Sequence, residues 1–198
     1  MNRLITFLLI QLLCFSQIHA QEPLDTLLAD MEIEVISQNQ FEQFKAGANG
    51  NTRIDTSGYI EFLDLWLVND CFEICETYLQ NSDSTERVFL PSHFDQGIID
   101  LLFSPSGKKF IIYSSYDGPD YTNYCSYRAE ILVYNIEAKN GLKGIKPTVK
   151  FITNEWSIDD LVWVSESVIA LKTYKGIKSI AGVDSGYEYI QANIANDK

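Results

Sequence analysis

From Tyr59 to Ile194 this chain is a succession of short runs rich in Ile, Val, Phe, Tyr and Trp, each closed off by Gly, Pro, Asn, Asp or Ser. Such runs read as strands, because branched and aromatic side chains pack well on a pleated surface. The residues between them read as turns, because they bond their own backbone or relax its φ limits. The pattern predicts strands near 59–68, 71–79, 86–90, 98–104, 109–115, 129–136, 147–153, 158–164, 167–174 and 187–194. No long helical pattern separates them. Antiparallel neighbours joined by short turns are therefore expected, and not a parallel sheet with crossover helices.

Ahead of the strands, Leu24, Leu27, Leu28, Met31 and Val35 recur at intervals of three and four, which predicts a helix over 23–45. Pro23 and Asp25 suit its first turn and Gly47 its exit. Met31-Glu32-Ile33-Glu34-Val35 also alternates, so a strand there is the alternative. The expected organisation is a leader over 1–20, an N-terminal helical segment over 21–48 and one β-rich domain over 49–198.

A weak internal repeat runs through the β-rich part. Asp100-Leu101-Leu102-Phe103-Ser104-Pro105-Ser106-Gly107-Lys108-Lys109-Phe110-Ile111-Ile112-Tyr113 is its clearest copy, and Asp160 to Leu171 follows the same plan. A more degenerate copy begins at Asp64; the three starts lie 36 and 60 residues apart. Phe103-Ser104-Pro105-Ser106-Gly107-Lys108 with Phe110-Ile111-Ile112-Tyr113, followed by Ile131 to Ile136, resembles the hairpin and next strand of TolB-type and WD40-like β-propeller blades. The resemblance covers residues 98–136 well and 158–174 poorly, and it implies a turn made by Pro105 and Gly107. At roughly 40–45 residues per blade, residues 50–198 hold at most about three or four blades. The expected fold is mainly β: antiparallel blade-like sheets, propeller-like but not closed into a ring, with one N-terminal helix. One fold hosts many functions, so none follows from the likeness.

The first twenty residues set the address. Asn2-Arg3, the twelve-residue apolar run Leu4–Phe15 and the small residue Ala20 have the order of a cleaved secretory leader. The run is shorter than the roughly 20 apolar residues a membrane-spanning helix needs, and no later run meets that length. The mature chain is thus expected to be 21–198, secreted or periplasmic. Cys14 is the alternative, as the acylated cysteine of a lipoprotein, but Leu13 replaces the small residue such signals carry.

After cleavage at Ala20, 14 basic residues face 27 acidic ones, so the net charge moves from −12 to −13. That surface repels nucleic acid and anionic lipid and attracts a basic partner at short range. Cys71, Cys75 and Cys125 remain as disulfide candidates. In one strand, Cys71 and Cys75 would stand about 13 Å apart, beyond the roughly 7 Å a bridge allows. Cys125 bridging one of them is the expectation, with three free thiols as the alternative.

Catalytic constellations are sparse. His93 is the one histidine of the mature chain, so no His-based metal cluster fits one chain, and no nucleophile elbow accompanies it. No cofactor and no metal are expected. Asp159-Asp160 and Asp117-Gly118-Pro119-Asp120 are the tightest acid clusters, and the second reads as a turn. The most distinctive stretch is Tyr113–Arg128, read as a long hairpin loop. Tyrosine supplies rigid contact area with a polar tip. Tyr116, Asp117, Asp120, Tyr121, Tyr124, Tyr127 and Arg128 are therefore the candidate binding residues, with packing of the rings on their own sheet as the alternative.

The sequence thus points to an exported, non-catalytic β-rich binding protein whose partner is a protein, a basic one by the charge argument: a narrower form is an immunity-type or envelope protein. The alternative is an extracellular carboxylate-dependent hydrolase or a carbohydrate-binding module. N-terminal sequencing of the protein recovered from the periplasm of an expressing bacterium should begin at Gln21; a start at Met1 contradicts the leader.

Overall fold

The structure, a computed structural model, describes residues 31–48, 57–71, 75–91, 98, 100–118, 126–175 and 186–194. In chain order they form β1 (Glu32–Val35), helix α1 (Gln38–Ala48), β2 (Tyr59–Ile60), β3 (Leu65–Cys71), β4 (Cys75–Asn81), β5 (Arg87–Leu90), β6 (Asp100–Phe103), β7 (Lys109–Gly118), β8 (Ser126–Ile136), β9 (Ile145–Thr153), β10 (Ser157–Trp163), β11 (Val168–Tyr174) and β12 (Tyr187–Asn193). The chain is mainly β, in three four-stranded antiparallel sheets. The first runs β2-β3-β4-β5 and the second β6-β7-β8-β9. The third runs β10-β11-β12 and is completed by β1, with Glu32 opposite Asn193.

Alternation along the strands decides how the sheets stack. In the second sheet, Ile111, Tyr113, Ile131 and Val133 pack with Leu161, Trp163, Ile169, Leu171 and Ile190 of the third. Their neighbours Phe110, Ile112, Leu132 and Tyr134 pack with Ile60, Leu65, Leu79 and Leu90 of the first. Phe110–Tyr113 and Ile131–Tyr134 are therefore apolar without a break, as strands buried on both faces must be. Among the described residues no buried cluster joins the first sheet to the third, so the three sheets form an open stack. Helix α1 covers the far face of the third sheet, placing fully buried Phe41 against Val162 and Ala170.

The blade-like hairpin forms as its residues predict. Gly107 takes φ +71, and its N–H donates to the Ser104 carbonyl at 2.9 Å. The second and third sheets are pinned to each other by polar contacts as well as by the core. Ser106 N–H donates to Glu166 Oε1 (2.6 Å) and Trp163 Nε1 to the Leu102 carbonyl (3.0 Å). Ser157 Oγ donates to the Tyr116 carbonyl (2.7 Å). Two copies of the repeat occupy equivalent places: Asp100 opens β6 and Asp160 lies in β10, each the first strand of its sheet. Each carboxylate takes the N–H of the following leucine, at 2.7 and 2.9 Å. The copy at Asp64 is out of step, because it leads into β3, the second strand of its sheet.

Three local readings change. Residues 32–35 form the strand that their alternation allows, helix α1 begins at Gln38, and residues 23–30 of the expected helix lie outside the described residues. Ser37 starts it through a reciprocal cap: Gln40 N–H donates to Ser37 Oγ (3.3 Å) and Ser37 N–H to Gln40 Oε1 (2.9 Å). The run 59–68 is broken by a 3-10 turn over Glu61–Leu63, after which Asp64 adopts a left-handed φ of 53°, a conformation Asp tolerates. Cys71 ends β3 and Cys75 starts β4 directly opposite it in the ladder. The two are thus not separated along one strand, and Cys71 is disulfide-bonded.

The second sheet also encloses charge. Lys150 and Glu130 are each 2% exposed in their side chains, with Nζ 3.9 Å from Oε1. Removing one partner strands a charge in the core, whereas replacing both with apolar groups does not. Lys150→Met alone should cost about 3–5 kcal/mol, and Glu130→Leu with Lys150→Met much less. Urea midpoints at an unchanged m-value check this.

Candidate functional site

Among the described residues, the order of layers leaves one broad sheet face open. Both faces of the second sheet are buried and α1 covers the third. The first sheet turns Ile60, Leu65, Leu67, Leu79, Val88 and Leu90 inward. Its alternate residues, Tyr59, Trp66, Val68, Tyr78, Gln80, Arg87 and Phe89, therefore share the outward face. Phe89 is 49% exposed, Arg87 is exposed, and Tyr59, Trp66, Val68 and Gln80 are half-buried.

The register pairs these side chains. Tyr59 stands opposite Trp66, with ring centroids 5.0 Å apart. Tyr78 stands opposite Phe89 at 5.6 Å, and the Arg87 guanidinium carbon lies 4.9 Å from the Tyr78 ring centre. Beside Trp66 runs a shallow groove of about 540 Å³, lined by Ser57, Trp66, Leu67, Val68, Asn69, Gln80, Ser82 and Ser84. Gly58 brings Ser57 to its rim with φ +91; a Cβ there would meet the Leu67 carbonyl oxygen at 2.6 Å.

Polar contacts hold the groove's serines in place. Gln80 Nε2 donates to Ser84 Oγ at 2.7 Å. The β4–β5 turn braces itself: Thr85 N–H and Oγ1 donate to Asp83 Oδ1 (3.0 and 2.6 Å), and Glu86 N–H donates to Asn81 Oδ1 (2.9 Å). Ser82 Oγ donates to the Asp64 carboxylate, as does the Tyr59 hydroxyl at 2.9 Å. These two hydrogen bonds, Ser82's first, favour the charged form and hold the Asp64 carboxyl below its ordinary range.

Of the residues singled out from sequence, Tyr116, Asp117, Tyr127 and Arg128 lie in the second sheet. The long loop is shorter than expected, because β7 continues to Gly118 and β8 starts at Ser126. Tyr116 pairs with Arg128 in the ladder, the guanidinium carbon 5.0 Å from the ring centre, and Asp117 pairs with Tyr127. Tyr113, at the start of the stretch, is buried towards the third sheet. Asp120, Tyr121, Tyr124, Cys125 and His93 lie outside the described residues.

The acid pair Asp159-Asp160 is neutralised locally: Lys172 reaches Asp159 at 2.8 Å, and Lys45 of α1 reaches Asp160. Burial raises the Asp100 carboxyl, with the charge of Asp160 a smaller cause. Burial also raises the Tyr113 hydroxyl, helped by Asp100, Asp160 and Asp159. Among the described residues no group of three or more His, Cys, Asp or Glu is placed to hold a metal ion, and no helix is long and apolar enough to cross a membrane.

Comparison with protein-family models, with curated proteins and with solved structures finds no match to this chain. The outward face of the first sheet was missed in the sequence because its members sit in four strands, and only the register brings Trp66, Tyr78 and Phe89 together.

Because the folded state holds Asp64 below its ordinary pKa, its contribution to stability is present above the unfolded value, about 3.9, and is lost as pH falls through the folded value. An NMR titration of the Asp64 carboxyl carbon should show a midpoint below that of a model peptide. Ser82→Ala should move it back up.

Proposed function

We propose that this chain is an exported binding module that acts by contact, and that the outward face of its first sheet carries the ligand. The observation that carries this reading is the aromatic set of half-buried Tyr59 and Trp66, buried Tyr78 and exposed Phe89, with exposed Arg87, on the one sheet face that the described layers leave open. Aromatic rings and arginine dominate binding energy because they offer large contact areas with little side-chain entropy to lose. The leader-like order of residues 1–20 supports export.

A protein partner is one form of this reading, and the net charge of −12 supports a basic one by steering encounters at low salt. A carbohydrate-binding module is the second form, favoured by the uncharged lining of the groove. A hydrolase is less well supported: the tightest acid pair, Asp159 and Asp160, is engaged by Lys172 and Lys45.

The mature chain should bind at least one of two probes, cytochrome c as a basic protein or laminarin as a neutral polysaccharide, and leave it intact. Trp66→Ala with Phe89→Ser should lose that binding at unchanged melting temperature. Cleavage of a probe that depends on the protein, undiminished binding by the double variant, or binding of neither probe overturns the reading.

A further inference from the structure

We infer that the groove beside Trp66 binds a neutral saccharide, with the ligand's chain running across the sheet towards Phe89. This rests on the reading of the face as the binding surface, and it names the ligand class. The lining residues are one tryptophan, Leu67 and Val68, the three serines Ser57, Ser82 and Ser84, and the amide-bearing Asn69 and Gln80, with Trp66, Val68 and Gln80 turned outward and Leu67 and Asn69 belonging to the inward set. No charged side chain is among them. An ionic ligand would find no counter-charge there, while a polyhydroxylated one finds hydroxyl and amide groups for its own hydroxyls. The C–H edge of a sugar ring carries partial positive charge and suits the negative face of an indole.

The surroundings select by charge. Asp64, which bonds Ser82, and Asp83, at the adjoining turn, are both exposed. Asp70 and Glu76 face each other across the ladder further along the outward face. An acidic polysaccharide is repelled by this fringe. The groove's volume of about 540 Å³ lies within the range of small-ligand sites.

Length selectivity follows from the register. Trp66 lies two residues from Val68, whose partner Tyr78 is in turn the partner of Phe89. Two strand spacings and two residues put Trp66 and Phe89 about 12 Å apart. That is too far for one sugar ring and within reach of a short chain.

The test is calorimetric titration of the mature protein with neutral glucose-, mannose- and xylose-based oligosaccharides, from disaccharide to hexasaccharide. Polygalacturonate and cytochrome c serve as the charged arms. Trp66 is the half-exposed member of the chain's three tryptophans, Trp156 and Trp163 being 6% and 5% exposed, so its fluorescence locates the ligand. At least one neutral series should bind saturably, shift the emission and tighten with length. Trp66→Ala should weaken it about tenfold or more, as loss of a stacking ring does. Trp66→Phe should retain part of the affinity, and Phe89→Ser should remove the gain with length. Equal binding of polygalacturonate, or binding indifferent to Trp66→Ala and Trp66→Phe alike, overturns the inference. If cytochrome c alone binds and shifts the emission, the saccharide assignment falls while the binding face stands. If neither class binds, both fall.

Discussion

Burial of both faces of the second sheet is the constraint from which the rest of the architecture follows. A sheet whose strands carry Phe110, Ile111, Ile112 and Tyr113 in unbroken succession exposes apolar surface on both sides. It needs a layer on each. The first and third sheets supply those layers and so acquire outer faces of their own. One of these faces is closed by α1 through Phe41 and the Lys45–Asp160 pair. The other carries rings and amides outward, and the groove lies there. The location of the candidate site is therefore a consequence of which end of the stack receives a helix.

Charge in this protein is handled in two ways. At the surface, Asp159 and Asp160 sit side by side in the chain, and each is drawn to a different lysine, which relieves their mutual repulsion. In the interior, Glu130 and Lys150 are almost wholly withdrawn from water and face each other at a distance longer than a good hydrogen bond. Such a pair is weak evidence for stability; what it does is exclude arrangements that would leave either charge alone. Alternation alone is a poor guide to register in β8, whose apolar run Ile131–Tyr134 is continuous. A charge that must meet its partner makes a slipped register costly.

Strand identity was legible in the sequence wherever branched and aromatic residues run between turn formers. The strands expected at 109–115, 147–153 and 167–174 match β7, β9 and β11 to within three residues. Chain reversals made by anything other than Gly or Pro were not. The break after Ile60 depends on Asp64 adopting a left-handed backbone, and the reversal between Cys71 and Cys75 carries neither residue type. The helix start was present as Ser37-x-x-Gln40, a capping box overshadowed by the leucine spacing upstream. The candidate site was the least legible element. Proximity in sequence drew attention to Tyr113–Arg128, whereas the rings of the outward face come from successive strands, Trp66, Tyr78 and Phe89 lying 12 and 11 residues apart, that only pairing assembles.

The pairing of β1 with β12 joins Glu32 to Asn193, a separation of 161 residues along the chain. Closing so long a loop is entropically slow, and its reward comes only when both ends are present. Among the described strands, the first to leave a ribosome must wait, unpaired, for the last. The third sheet therefore cannot be completed until Asn193 has been made, and a growing chain lacks a finished fold for almost the whole of its synthesis.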